Sequence, residues 1–320
     1  MAAAADLEER KRKLAVYLPF EALETPKWRK KQEVTVAEMI TEIMRYNKQW
    51  EEVKNTYDEE LVEKVRKEFL VQFIFHVNME EESGFSTFEE TENFLTYFYA
   101  RAGNLQRSLS IKEHESINVR NAYQYLLDKI KTEEQASDYG LIEEGLLQET
   151  HRKLMANIVY PIGKTKPGKF SNEPRRNDFN GKRYYYRNPQ NMENAVTELV
   201  EKYNNYFYLC TKDGLKDFDD FYYLFKTCAW LLFELLDLHP FSDGNGRLCR
   251  IFCSYMLSKL NPFPTPVYNV WTDSKKSDYQ QALVDARESD TRHPRALTTM
   301  IIECNYHGWR KFFEALDEKK

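Results

Sequence analysis

The sequence predicts a mainly α fold carrying one small β-hairpin. Three observations lead there. Apolar residues recur at helical spacing through most of the 320 residues. Gly, Pro, Asn and Lys concentrate in a single stretch, 163–188. Within it, Asn180-Gly181 stands between short aromatic segments, Phe179 and Tyr184-Tyr185-Tyr186, a strong hairpin signal because both residues tolerate positive φ.

Taken in order, residues 36–53 place Met39, Ile40, Ile43, Met44 and Trp50 on one helical face. Residues 59–78 are more apolar, with Leu61, Val65, Phe69, Leu70, Phe73 and Ile74. Ser86-Thr87-Phe88-Glu89 reads as a capping box opening a helix through Phe94, Leu95 and Phe98. Further helices read at 112–131, 137–159, 190–208, 217–238, 245–260, 277–288 and 295–316. Asn188-Pro189 precedes one of them, with proline at a helix start. Residues 1–60 read as an N-terminal helical extension and 61–320 as the main domain. No internal repeat is present.

Composition narrows the function classes. Net charge is −5 and pI about 5.8, which gives no general pull toward nucleic acid or an anionic membrane. The longest apolar run, Cys228 to Leu238, is broken by Glu234 and Asp237 and falls short of the roughly 20 residues a bilayer needs. The N-terminus is charged and lacks an apolar signal core, so cytoplasmic or nuclear residence is the expectation. Cys210, Cys228, Cys249, Cys253 and Cys304 have no metal-ligand spacing and read as reduced core thiols. His76, His114, His151, His293 and His307 show no ligand spacing. No P-loop or dinucleotide-binding glycine pattern occurs.

Chemistry concentrates in His239-Pro240-Phe241-Ser242-Asp243-Gly244-Asn245-Gly246-Arg247-Leu248-Cys249-Arg250. One helix ends before it and another starts near Asn245. The glycines let the backbone approach a ligand, and free N–H groups at a helix start favour an anion. Arg247 and Arg250, three apart, offer guanidinium forks suited to phosphate oxygens. Asp243 is a hard oxygen donor for Mg²⁺. His239 can take a proton near neutral pH. Phe241 reads as a core plug that fixes the loop.

This stretch resembles the H-x-F-x-D/E-G-N-G-R-x-x-R signature of Fic-domain nucleotidyltransferases at every defined position. The resemblance implies a Fic-type helical bundle with a hairpin flap, and a catalytic domain over 61–320. It implies transfer of AMP from ATP to a Ser, Thr or Tyr hydroxyl of a target protein, with pyrophosphate leaving. On that reading His239 is the general base and Asp243 holds Mg²⁺ against the α- and β-phosphates. Gly244, Asn245 and Gly246 form the anion hole. Arg247 holds the β- and γ-phosphates and Arg250 the γ-phosphate. Phe170, Ser171 and Asn172 belong to the target-binding flap, although the arginine common after its aromatic residue is missing.

Many members also carry an upstream inhibitory helix, S/T-x-x-x-E-G/N, whose glutamate pairs with the last signature arginine. His76 to Ser83 stands at the matching place, with Glu81 as the inhibitory residue. It departs from the pattern at Val77 and Glu82, and Glu80 competes for the role by a one-residue slip. Downstream, Ser277 to Ala286 resembles a family segment that ends in an asparagine near the base, but Arg287 follows here. The resemblance leaves room for a homodimer. Removal of AMP, or transfer of another phosphate-linked group, would use the same residues. The kinase-like branch has lysine where Gly246 stands. A non-catalytic peptide-binding module is the reading of a different class.

Overall fold

A computed structural model describes residues 2–30, 34–101, 107–133, 141–158 and 166–319. Eleven helices and two strands are present among them: α1 (Ala2–Tyr17), α2 (Val36–Val53), α3 (Glu59–Met79), α4 (Phe88–Ala100), α5 (Ile111–Glu133), α6 (Glu144–Leu154), β1 (Arg176–Phe179), β2 (Lys182–Tyr185), α7 (Met192–Thr211), α8 (Phe218–Leu238), α9 (Asn245–Leu257), α10 (Lys276–Glu288) and α11 (Arg295–Glu318).

Helix starts follow local capping chemistry. Thr35 and Glu38 form a reciprocal box at α2, and Asp217 and Asp220 do the same at α8. At α4 the box is Thr87 with Glu90, one residue later than the Ser86–Glu89 reading, and both Ser86 and Thr87 N–H groups donate to the Glu90 carboxylate. The helix expected at 137–159 occupies Glu144–Leu154; residues 137–140 and 159 lie outside the described set. The strands pair antiparallel, Arg176 with Tyr185 through Phe179 with Lys182. Asn180 (φ 50°) and Gly181 (φ 73°) make the turn, and two positive-φ residues give the twist a two-residue hairpin needs.

The core is one continuous set of buried side chains. Helix α8 runs through it: nearly all its residues from Leu224 to Leu238 are buried, against Tyr203 and Phe207 of α7, Phe252 of α9 and Ile301 of α11. Ile40, Ile43 and Trp50 of α2 enter the same core, Trp50 edge-on to Phe312. Helix α1 and the segment after it attach separately, through Leu14, Leu18 and Phe20 against Leu209 and Cys210, and through a buried Arg10–Asp220 pair at 2.6 Å. All five cysteines are buried and free. Among the described residues no helix is long and apolar enough to cross a membrane.

Candidate active site

The site forms where α8 stops. His239 caps α8 in the left-handed region (φ 51°, ψ 57°), its N–H still bonded to the Leu235 carbonyl. A β-carbon residue there turns the chain sharply, so the loop doubles back and α9 begins within six residues. Phe241 plugs the core at 0% exposure, as read from the sequence. Asn245 closes the loop on itself: the Phe241 N–H donates to its Oδ1 (3.0 Å), and its Nδ2 donates to the Phe241 carbonyl (2.8 Å). Its side chain is therefore committed to holding the loop, and any anion hole here is made by backbone N–H groups. Gly244 precedes α9 at φ 75°, and the helix starts without a side-chain cap, which leaves its first N–H groups for another acceptor.

Two arginines reach this helix start from inside. Arg247 is 4% exposed; its Nη2 donates to the Met155 thioether at 3.3 Å, while Nε and Nη1 are buried with no partner. Unpaired guanidinium nitrogens out of water cost free energy that an anion would recover. Arg250 is 2% exposed, and its Nη2 donates to the Glu81 carboxylate at 2.6 Å and to the Val77 carbonyl at 3.1 Å. Burial acts against ionisation of Glu81, but the charge and hydrogen bond of Arg250, helped by Arg247 and Lys276, outweigh it and hold the carboxyl below its usual range.

The two departures of this segment from the inhibitory pattern are now explained by backbone. Val77 lacks a hydroxyl, and its carbonyl contacts Arg250 instead. Glu82 stands where Gly or Asn is usual and takes the left-handed φ of 56° that those residues adopt readily. Glu80 points away into the interior, where Tyr268 Oη (2.7 Å) and Asn269 Nδ2 (3.1 Å) donate to its carboxylate and Lys276 Nζ to its carbonyl. The register in which Glu81 meets Arg250 is thus the observed one. Gly246 permits it: a β-carbon there would collide with Glu81 Oε1.

The His239 ring is partly buried. Burial, with the nearby Arg175 charge, lowers its pKa to about 4, against the smaller opposing effects of the Leu236 carbonyl, Glu81 and Asp243. Nδ1 lies 3.2 Å from the Leu236 carbonyl. A neutral ring donates there from Nδ1 and keeps Nε2 as the proton acceptor. Asp243 is exposed at the loop tip, with Oδ1 accepting the Gly244 N–H at 2.7 Å.

Phe170, Ser171 and Asn172 precede the strand pair and form its tether. Phe170 packs on Phe241, the Ser171 N–H donates to the Pro240 carbonyl (2.8 Å), and Asn172 Oδ1 accepts from the Met192 N–H (3.0 Å). The exposed strand edges lie in Arg176–Tyr185.

Three contributors were not singled out from the sequence. His151 stacks on Phe241 (centroids 3.8 Å apart), accepts from the Gly168 N–H at Nδ1 (2.8 Å) and donates from Nε2 to the Asp243 carbonyl (2.9 Å). It joins tether and loop as a neutral ring, its pKa lowered to about 4 by burial. Met155 supports Arg247 and would meet a β-carbon on Gly244 at 2.7 Å. Tyr186 stacks on His239. Arg287 is held by Asp237 at 2.8 Å and lies over the Tyr186 ring, and Tyr279 is a core residue stacked on Tyr268.

A helical bundle with a hairpin, and a loop feeding buried arginines into an uncapped helix start, define the class of fold and site. Residues 141–257 match the Fic/DOC family. A Fido domain-containing protein of Dictyostelium discoideum is 28% identical over 140 residues, 43% of this chain and 88% of that protein. The ribonucleoside-diphosphate reductase small chain of Ostreid herpesvirus 1 (isolate France) is 32% identical over 124 residues, 38% of this chain, and the match spans only 20% of that protein. Among solved structures, Fic-1 of C. elegans (aa134–508) superposes with TM-score 0.63 at 15% identity, covering 89% of this chain and 74% of that one. A Fic domain containing signaling protein from Bacteroides thetaiotaomicron VPI-5482 gives 0.63 at 20% identity, covering 88% and 97%. The fold is Fic-type.

Proposed function

We propose that this chain transfers AMP from Mg-ATP to a Ser, Thr or Tyr hydroxyl of a protein, and that Glu81 restrains the transfer. The observation that carries the reading is the pair of buried guanidinium groups at the uncapped start of α9, Arg247 with two unpartnered nitrogens and Arg250 engaged by a carboxylate. A polyphosphate supplies the charge that both demand. The bond-making step is attack of the target oxygen on the α-phosphorus, loss of its proton to His239 Nε2, and departure of pyrophosphate. Backbone N–H groups at the helix start and Arg247 would hold the phosphates. Arg250 would join them once Glu81 leaves.

Asp243 fits Mg²⁺ as a single exposed hard-oxygen donor at the loop tip, since Mg²⁺ takes one or two carboxylates and fills the rest of its shell with phosphate and water oxygens. It would supply charge neutralisation on the phosphates. Glu81 acts by competition in this reading: its carboxylate occupies the nitrogen of Arg250 that a γ-phosphate would use.

The test is incubation of wild type and Glu81→Gly with α-labelled ATP, Mg²⁺ and cell lysate, followed by mass spectrometry of labelled proteins. Stronger labelling by Glu81→Gly at hydroxyl side chains supports the reading. Absence of label in both forms overturns it. Release of AMP from a pre-modified protein, lost in Glu81→Gly, would mean that the site works in the opposite direction.

A further inference from the structure

The imidazole of His239 lies flat on the ring of Tyr186, with centroids 3.9 Å apart and planes 13° from parallel. Tyr186 directly follows β2, and its N–H donates to the Arg175 carbonyl at 3.0 Å, so the base of the hairpin fixes its backbone. The Arg287 guanidinium stands 5.2 Å from the Tyr186 centroid. Arg287 is itself held by Asp237, Nε to Oδ1 at 2.8 Å. Asp237 is 3% exposed, and its other oxygen receives Arg292 at 2.6 Å and Arg187 at 3.1 Å. It sits in the last turn of α8, two residues before His239. The contacts therefore close a circuit: end of α8, Asp237, Arg287 on α10, Tyr186 at the hairpin exit, and back to His239.

We infer that Tyr186, braced by Arg287 and Asp237, is a positioning residue that sets the plane of the His239 imidazole and shields it from water. The Leu236 carbonyl fixes which nitrogen carries the proton and limits rotation about the ring normal. It leaves the ring free to tilt, and the stack removes that freedom. Proton transfer to Nε2 depends steeply on alignment. The phenol face also attracts the imidazolium that forms once the target proton has been taken. The hairpin therefore acts on the base itself as well as offering strand edges.

This inference rests on His239 being the base of the proposed transfer, so its test has a readout that needs no turnover. Tyr186→Phe, Tyr186→Leu and Arg287→Gln are compared with their parent, all in the Glu81→Gly background. The His239 imidazole signals are followed by NMR across pH and assigned with His239→Gln. The other charged groups facing the ring, Arg175 and Asp243, are common to every arm, and Glu81 is absent from all.

In the parent and Tyr186→Phe, the His239 signals should carry ring-current shifts and titrate at or below about 4, Glu81 no longer raising the value, and the titration should rise toward 6.5 in Tyr186→Leu as water reaches the ring. On labelling, Tyr186→Leu should lower kcat about 100-fold with KM for Mg-ATP little changed, and Arg287→Gln about tenfold. Tyr186→Phe should stay within about twofold, since the face and not the hydroxyl is used. A folded Tyr186→Leu protein in which the His239 shift and titration match the parent overturns the inference. If no variant transfers AMP while the NMR differences hold, the proposed function fails and the positioning of His239 stands.

Discussion

The α3 turn and the hairpin exit both reach the His239–Arg250 loop, and they hold it by opposite chemistry. The α3 turn uses an ion pair, Glu81 on Arg250 at 2.6 Å. The hairpin side uses rings: Tyr186 on His239, Phe170 and His151 on Phe241. An ion pair can be exchanged for another anion, whereas a stacked ring has no charged competitor. In the proposed transfer, one contact would be displaced by a polyphosphate, and the other would stay in place while that happens.

The largest effect should come from the residue that the Tyr186 ring covers. His239→Gln keeps a polar side chain and removes the proposed base, and should lower protein labelling by about 1,000-fold, with or without Glu81. Equal labelling by His239→Gln and its parent would mean that the rings hold something other than the reacting centre.

Acid separates the two contacts next. His76, His151 and His239 have pKa values lowered mainly by burial, to about 3, 4 and 4. A group whose folded pKa lies below its unfolded value binds its proton more readily after unfolding. Its stabilising contribution is complete above 6.5 and is lost as pH falls through the folded value. His151 alone should account for about 3 kcal/mol of that loss between pH 6.5 and 4. His151→Phe should begin less stable at pH 7, having lost the bonds to Gly168 and Asp243, and should show a shallower decline of Tm with acid. Glu81, its carboxyl held below the usual range by Arg250, keeps its charge through the upper part of that fall. A His151→Phe protein whose Tm falls as steeply as wild type would remove His151 from the account.

A smaller effect tests what holds Glu81. Glu81→Gly should raise labelling about tenfold, because a partner that is 39% exposed keeps only part of a buried pair's strength. Glu80→Gln weakens the bonds to Tyr268 and Asn269 that anchor the same turn, and should raise labelling about threefold, an effect absent once Glu81 is Gly. A Glu80→Gln gain that persists in the Glu81→Gly background would show that Glu80 acts elsewhere.

How legible each contact was follows from its range along the chain. The signature was readable because its parts are contiguous: helix end, loop and helix start carry every polar group at fixed spacing. Glu81 was half readable. Its side chain matched the pattern, but Val77 contributes a carbonyl and Glu82 a backbone conformation, and neither shows in side-chain identity. The hairpin was evident from Asn180-Gly181, a local turn rule. Its use was not, because Tyr186 meets His239, and Arg287 meets Asp237, only after distant elements pack. Likewise His151 had no motif around it; its two hydrogen bonds go to backbone groups of Gly168 and Asp243. Asn245 reads from the sequence as part of the anion hole, whereas its bonding to Phe241 shows that its side chain keeps the loop shut.

The smallest effect is also the most discriminating between an ion pair and a stack. Salt screens a partly exposed pair strongly, the Debye length shrinking from about 10 Å at 0.1 M to about 3 Å at 1 M. It also weakens nucleotide binding in every variant, so the informative quantity is a ratio at saturating Mg-ATP. Raising NaCl from about 0.1 to 0.5 M should narrow the Glu81→Gly advantage over wild type by about twofold, because wild type is partly released by screening. Over the same range the ratio between Glu81→Gly and Glu81→Gly/Tyr186→Leu should stay nearly constant, since the stack itself carries no ion pair and the Arg287–Asp237 pair that braces it is better buried, and so less screened, than Glu81. Should both ratios move together, the two contacts are one coupled element, and the distinction between a displaceable ion pair and a fixed ring contact fails.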